Sequence, residues 1–142
     1  MFWGEYSHHL DGKGRVIVPS RFRAHLVHGA ILTRGLDLNL VIYPQASWQS
    51  VVQQLNQMPI TQSSARALRR LLLSGAVELN LDRQGRLLIP GHLRTYAHLD
   101  DSVLFIGMDS LIELWHPPDW QKMLDSAALT LLDADHRLML NV

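Results

Sequence analysis

The chain has 142 residues, room for one compact domain or two small ones sharing a core. Apolar residues make up 47% and charged residues 18%, which excludes intrinsic disorder as the main state, and no apolar run approaches the ~18 residues of a membrane-spanning helix. There is no Cys, so disulfides, thiolate metal sites and cysteine nucleophiles are excluded, and the net charge of zero conceals 11 basic against 5 acidic residues in 1–99 and 2 against 8 in 100–142.

The N-terminus, Met1–Glu5, has neither the basic nor the apolar region of an export signal, so a cytoplasmic protein is expected. Tyr6–Leu10 reads as a strand entering a tight turn, Asp11-Gly12-Lys13-Gly14, where glycine supplies positive φ and aspartate can close an Asx-turn. Arg15–Val18 leaves the turn as a β-branched strand, which sets the turn at the tip of a two-stranded ribbon. Pro19 suits the start of a short helix over Ser20–Leu26. Ala30–Thr33 and Leu38–Tyr43 form a predicted hairpin, and Ser47 is the expected cap of a helix carrying Trp48, Val51, Val52, Leu55 and Met58 on one face. Pro59 ends that helix. A linking helix follows over about Ser64–Ser74, with Arg66, Arg69 and Arg70 beside leucines. Val103–Ile106 and Leu111–Trp115 form a second hairpin, Asp119 is the expected cap of the last helix, and residues 125–142 read as an acidic and apolar helical tail.

The plan occurs twice. Leu10–Pro19 aligns with Leu81–Pro90, Arg23 with Arg94, and, after a one-residue slip, Gly35, Asp37, Trp48 and Gln49 with Gly107, Asp109, Trp120 and Gln121. Each unit is too small to bury a good core alone, so two copies are expected around one pseudo-twofold core.

The repeated Leu-Asp-x-x-Gly-Arg stretch is where chemistry is to be sought. A carboxylate dyad of Asp11 and Asp82 is disfavoured, because each has an arginine four residues on and a cation depresses a carboxyl pKa instead of splitting a pair. No nucleophile elbow or phosphate-cradling loop occurs, so no catalytic residue, cofactor or small-molecule ligand is expected. His8 and His9 point to opposite faces of a strand and cannot chelate one ion, so no metal is expected either.

Nucleic-acid binding fits better. Nearly all the basic residues are arginine, whose planar fork suits phosphate or guanine. Lys13 and Arg15 lie at the first turn and Arg83 and Arg86 at the second, while Arg21, Arg23 and Arg94 on the following helices are candidate phosphate contacts. In the competing reading Asp11–Arg15 and Asp82–Arg86 are ion pairs that staple the turns. That reading is favoured for the aspartates, which repel phosphate. For the arginines the two roles are compatible.

Met1–Val16, Val18–Arg23, Leu32–Asp37, Ser74–Glu78 and Leu81–Pro90 together resemble the MraZ family of bacterial transcriptional regulators, over about residues 1–124. The resemblance implies an α+β fold. It has two tandem AbrB/SpoVT-like swapped-hairpin units, residues 5–47 and 76–119, that form one double-psi-like β-barrel with flanking helices. It implies a ring-like homo-oligomer, cytoplasmic and nucleoid-associated, binding repeated elements of double-stranded DNA with no membrane contact. The expected role is repression of the division and cell-wall gene cluster, including the family's own gene. It assigns DNA contact to Arg15 and Arg86, with Lys13 and Arg83 as neighbours and Asp11 and Asp82 as structural motif residues. A different class of role is an antitoxin-like interaction module, in which Asp119, Asp125, Asp133 and Asp135, among Leu129, Leu131, Leu132 and Leu138, capture a partner protein.

Overall fold

The computed structural model describes residues 1–132. The first repeat supplies β1 (Glu5–His9), β2 (Arg15–Ile17), α1 (Ser20–Arg23, continued by a 3-10 turn over Ala24–Leu26), β3 (Ala30–Arg34), β4 (Leu40–Pro44) and α2 (Gln45–Asn56). After α3 (Ser63–Gly75) the second supplies β5 (Val77–Glu78), β6 (Arg86–Leu88), α4 (Gly91–Tyr96), β7 (Ser102–Met108), β8 (Leu111–Trp115) and α5 (Pro117–Thr130). The class is α+β, and every strand pair is antiparallel.

Six strands form one sheet in the order β1-β7-β8-β4-β3-β5, and β2 and β6 form a separate ribbon. The sheet order reads as the duplication reflected about its centre. β1, β7 and β8 on one side correspond to β5, β3 and β4 on the other, and strands of the two repeats pair at the central β4–β8 junction and again at β1–β7 and β3–β5.

The tight turn does not close a hairpin between consecutive strands, which corrects the ribbon expected from sequence. β1 pairs along its length with β7, from Glu5 opposite Ile106 to His9 opposite Ser102, whereas β2 pairs with β6, Val16 opposite Leu87. Between β1 and β2 only the bridge Leu10–Val16 remains. The physical reason is that β2 and β6 are equivalent short strands, each with one inward apolar side chain. Pairing them satisfies both sets of backbone groups and buries Val16 and Leu87 together.

One core draws on both repeats. Val16, Val18, Phe22, Leu32 and Ile42 pack in the same cluster as Leu87, Ile89, Leu93, Phe105 and Ile112. Neither unit of the duplication has an interior of its own, as its size requires.

Neither predicted helix cap is a cap. Pro44 and Pro117 pre-set the backbone for helix entry, so both helices start before the polar residue. Ser47 therefore lies inside α2 and donates to the Ser110 carbonyl at 3.1 Å. Asp119 lies in the first turn of α5, where its carboxylate meets His98 Nδ1 at 2.7 Å. On α3, Arg69 donates to the Leu55 carbonyl and to Asn56 Oδ1, both at 2.9 Å, and so ties the end of α2. Arg66 similarly holds the Ile60 carbonyl at 2.9 Å. The strand β5 stands where the repeated plan places the counterpart of β1, shortened to two residues from five. α5 buries no residue fully; Leu129, Leu131 and Leu132 are exposed, while Asp133, Asp135 and Leu138 lie outside the described residues. Among the described residues no helix is long and apolar enough to cross a membrane.

Candidate nucleic-acid interface

The two turns are built alike, bond for bond. In the first, Asp11 Oδ1 accepts from the backbone N–H groups of Lys13 and Arg15, both at 2.9 Å, and Oδ2 accepts from Arg15 Nε at 2.9 Å. In the second, Asp82 Oδ1 accepts from Gln84 N and Arg86 N, both at 2.9 Å, and Oδ2 from Arg86 Nε at 2.7 Å. The backbone closes each turn from the other side: Gly14 N donates to Asp11 O at 3.1 Å and Gly85 N to Asp82 O at 3.0 Å. Gly14 and Gly85 sit at φ +84° and +76°, the left-handed region that favours glycine.

The spacing of four is thereby explained. It lets one carboxylate take the amide of the arginine with one oxygen and its Nε with the other. The staple expected for the aspartates is present, and a shared-proton dyad is not, because each carboxylate is engaged within its own turn. The Arg15 amide, then the Arg15 and Lys13 donors around it, hold the Asp11 carboxyl well below its ordinary value, to about 2, against the opposing effect of desolvation. Asp82 is lowered in the same way, first by the Arg86 amide.

A depressed folded-state pKa gives stability that is complete above the unfolded value, roughly 3.9, and is lost as pH falls through the folded one. The Asp11 carboxyl is therefore expected to titrate by NMR with a midpoint about 2, the Lys13 and Arg15 amides shifting with it and staying constant from pH 8 to 5. A midpoint at the ordinary aspartate value would remove the staple.

Because Nε faces the aspartate, the outer end of each guanidinium is left over. Among the described residues, the terminal nitrogens of Arg15 and Arg86 make no hydrogen bond. Val16 and Leu87 point inward from the β2–β6 ribbon, so Arg15, Ile17, Arg86 and Leu88 share its outer face. Arg15 stands opposite Leu88 and Arg86 opposite Ile17, which places the arginines on a diagonal, roughly 7–8 Å apart at the backbone. Ile17 and Leu88, equivalent in the two repeats, are 44% and 58% exposed between them. Lys13 and Arg83 are exposed on the turns at the two ends of this ribbon.

The other predicted cations are arranged differently. Arg21 Nη1 donates to the Tyr6 hydroxyl at 2.8 Å. Arg23 and Arg94 reach across to the opposite repeat: Arg23 Nη1 lies 3.5 Å from the Gln84 carbonyl, and the Arg94 guanidinium lies against Gly14. Partial burial, and then Arg23, hold His8 below the ordinary imidazole range. Among the described residues no three His, Asp or Glu gather as metal ligands. Sequence reading missed the contacts of Arg23 and Arg94 with the other repeat's turn; their shared offset in the duplication was the available signal.

Comparison with known proteins agrees with the duplication. A family model described as "MraZ protein, putative antitoxin-like" matches residues 1–71 and again 72–142. A protein named Transcriptional regulator MraZ from Herpetosiphon aurantiacus is 50% identical over 128 residues, 90% of each chain. A protein of the same name from Moorella thermoacetica is 46% identical over 122 residues, covering 86% of this chain and 85% of its own. Another, from Roseiflexus castenholzii, is 43% identical over 126 residues, 89% of this chain and 88% of its own.

Proposed function

The chain belongs to the MraZ family, and from that premise we propose that it is a sequence-specific DNA-binding transcriptional regulator. Its role is repression of the division and cell-wall gene cluster that includes its own gene. The observation that carries this reading is the pair of identically stapled turns, with the guanidinium ends of Arg15 and Arg86 turned outward on one short ribbon. A two-stranded ribbon fits the major groove, and an arginine fork matches the O6 and N7 acceptors of guanine. Lys13 and Arg83 add phosphate contacts, which fix register without reading sequence.

The units responsible are residues 5–47 and 76–119, as AbrB/SpoVT-like swapped hairpins closing one double-psi-like barrel. One protomer offers few cations, and the backbone contribution to affinity scales with the phosphates neutralised. A ring of protomers makes each later contact intramolecular, so weak sites combine by effective concentration. Such a protein works in the cytoplasm on the nucleoid and performs no covalent chemistry.

The test is nuclease footprinting of the purified protein on the DNA upstream of its own gene. Protection repeating at about one helical turn (~10 bp) is expected, and it should survive excess non-specific competitor at fixed salt. Protection that disappears with competitor would sink the assignment.

A further inference from the structure

Each turn of the candidate interface is covered by an arginine from the other repeat. A Cβ built on Gly85 would run into the Arg23 side chain, Nη1 first, then Cδ at 2.8 Å and Cζ at 2.9 Å, so Arg23 fills the space over the bare glycine backbone. Its Nη1 is also 3.5 Å from the Gln84 carbonyl of the same turn. The equivalent position in the first turn, Gly14, is covered by Arg94, with Cζ at 2.9 Å and Nη1 at 3.0 Å from such a Cβ. Arg94 Nε is buried with no hydrogen-bond partner among the described residues.

The cross-connection follows from the strand pairing. Val18 N donates to Gly85 O at 2.9 Å and Ile89 N to Gly14 O at 2.8 Å, which seats each turn at the start of the opposite repeat's short helix. Arg23 and Arg94 project from those helices, and only glycine leaves room for them.

Resting on the DNA-binding reading above, we infer that Arg23 and Arg94 are positioning residues: each holds the DNA-reading turn of the opposite repeat in shape, and neither is chiefly a phosphate contact. The guanidinium packs on the glycine. The staple from the aspartate fixes the other side of the turn, so the reading arginine is held from two directions by two different repeats. Neither turn is then autonomous. A change in the helix of one repeat is read out at the fingertip of the other.

Amide hydrogen exchange on the full-length protein tests this without DNA. Arg23→Ala is expected to speed exchange of the Gln84 and Arg86 amides at least tenfold while leaving those of Lys13 and Arg15 unchanged. Arg94→Ala is expected to do the reverse. Acceleration of both turns alike in either variant overturns the inference in favour of general support of the fold. Where the alanine variants do not fold, Arg23→Gln and Arg94→Gln read the same crossed pattern.

The second arm is salt dependence on the footprinted DNA. A positioning residue lowers affinity with the slope of log K against log salt unchanged, whereas removal of a phosphate contact lowers that slope by about one. A slope reduced by that amount, with exchange unaltered, overturns the inference. Arg86→Ala is the control for the underlying reading. If that variant binds DNA as tightly as the parent, the turn is not the DNA-reading element and that part of the proposed function fails whatever the exchange data give; if it loses binding while Arg23→Ala does not, only the positioning role fails.

Discussion

Arg15→Ala and Arg86→Ala are each expected to weaken specific DNA binding by about a hundredfold or more, while the protein stays folded and keeps its mass in solution. A bidentate arginine–guanine contact is worth about 1–3 kcal/mol, and in the proposed ring the loss recurs in every copy that touches DNA. The fold should tolerate the change. Arg15 and Arg86 are 34% and 29% exposed, and truncation leaves both backbone bonds to Asp11 Oδ1 or Asp82 Oδ1 in place. The ion pair that is lost lies at the surface, where solvent screens it, and contributes little. Gel shift at fixed salt measures the affinity and light scattering the mass. Unchanged affinity in both variants removes the arginines from the interface; a lost assembly shifts their role to stapling.

Phe105→Ala is expected to cost about 3–5 kcal/mol, a large part of the ~5–15 kcal/mol that holds a domain of this kind together. Phe105 is fully buried on β7, paired with Tyr6 of β1 on one side and with Leu114 of β8 on the other. Its ring meets the His8 ring edge-on at 5.8 Å, so the cavity opens where the two repeats join. Trp3→Ala, at a side chain 65% exposed, should stay within about 0.5 kcal/mol and serves as the contrast. Urea unfolding read by two probes gives both values. A Phe105→Ala protein as stable as the parent would contradict the shared core.

Much of this was legible in the chain. The duplicated Leu-Asp-x-x-Gly-Arg stretch located both turns, and the spacing of aspartate and arginine anticipated the staple, because that bond pattern is local. The hairpins and the linking helix followed from apolar periodicity within a residue or two at most ends. What could not be read was pairing at a distance. Two strands joined by a tight glycine turn look like a hairpin, and nothing nearby indicates that β2 finds its partner 71 residues on in β6. The same gap hid the placement of Arg23 and Arg94, whose partners belong to the other repeat. Ser47 and Asp119 misled for a different reason: proline geometry had already begun each helix.

The reflected strand order carries a consequence for the kind of message such a molecule can recognise. Had the two halves remained identical, the protomer would face its target with a true dyad and could not tell one direction along a double helix from the other. They have not: Lys13 stands where the second half has Gln84, and Gly12 where it has Arg83. Fusion into one polypeptide is what permits this divergence, since a dimer of identical chains must present matching faces. Under the proposed function, the result is a sense of orientation, with head-to-tail sites favoured over palindromes.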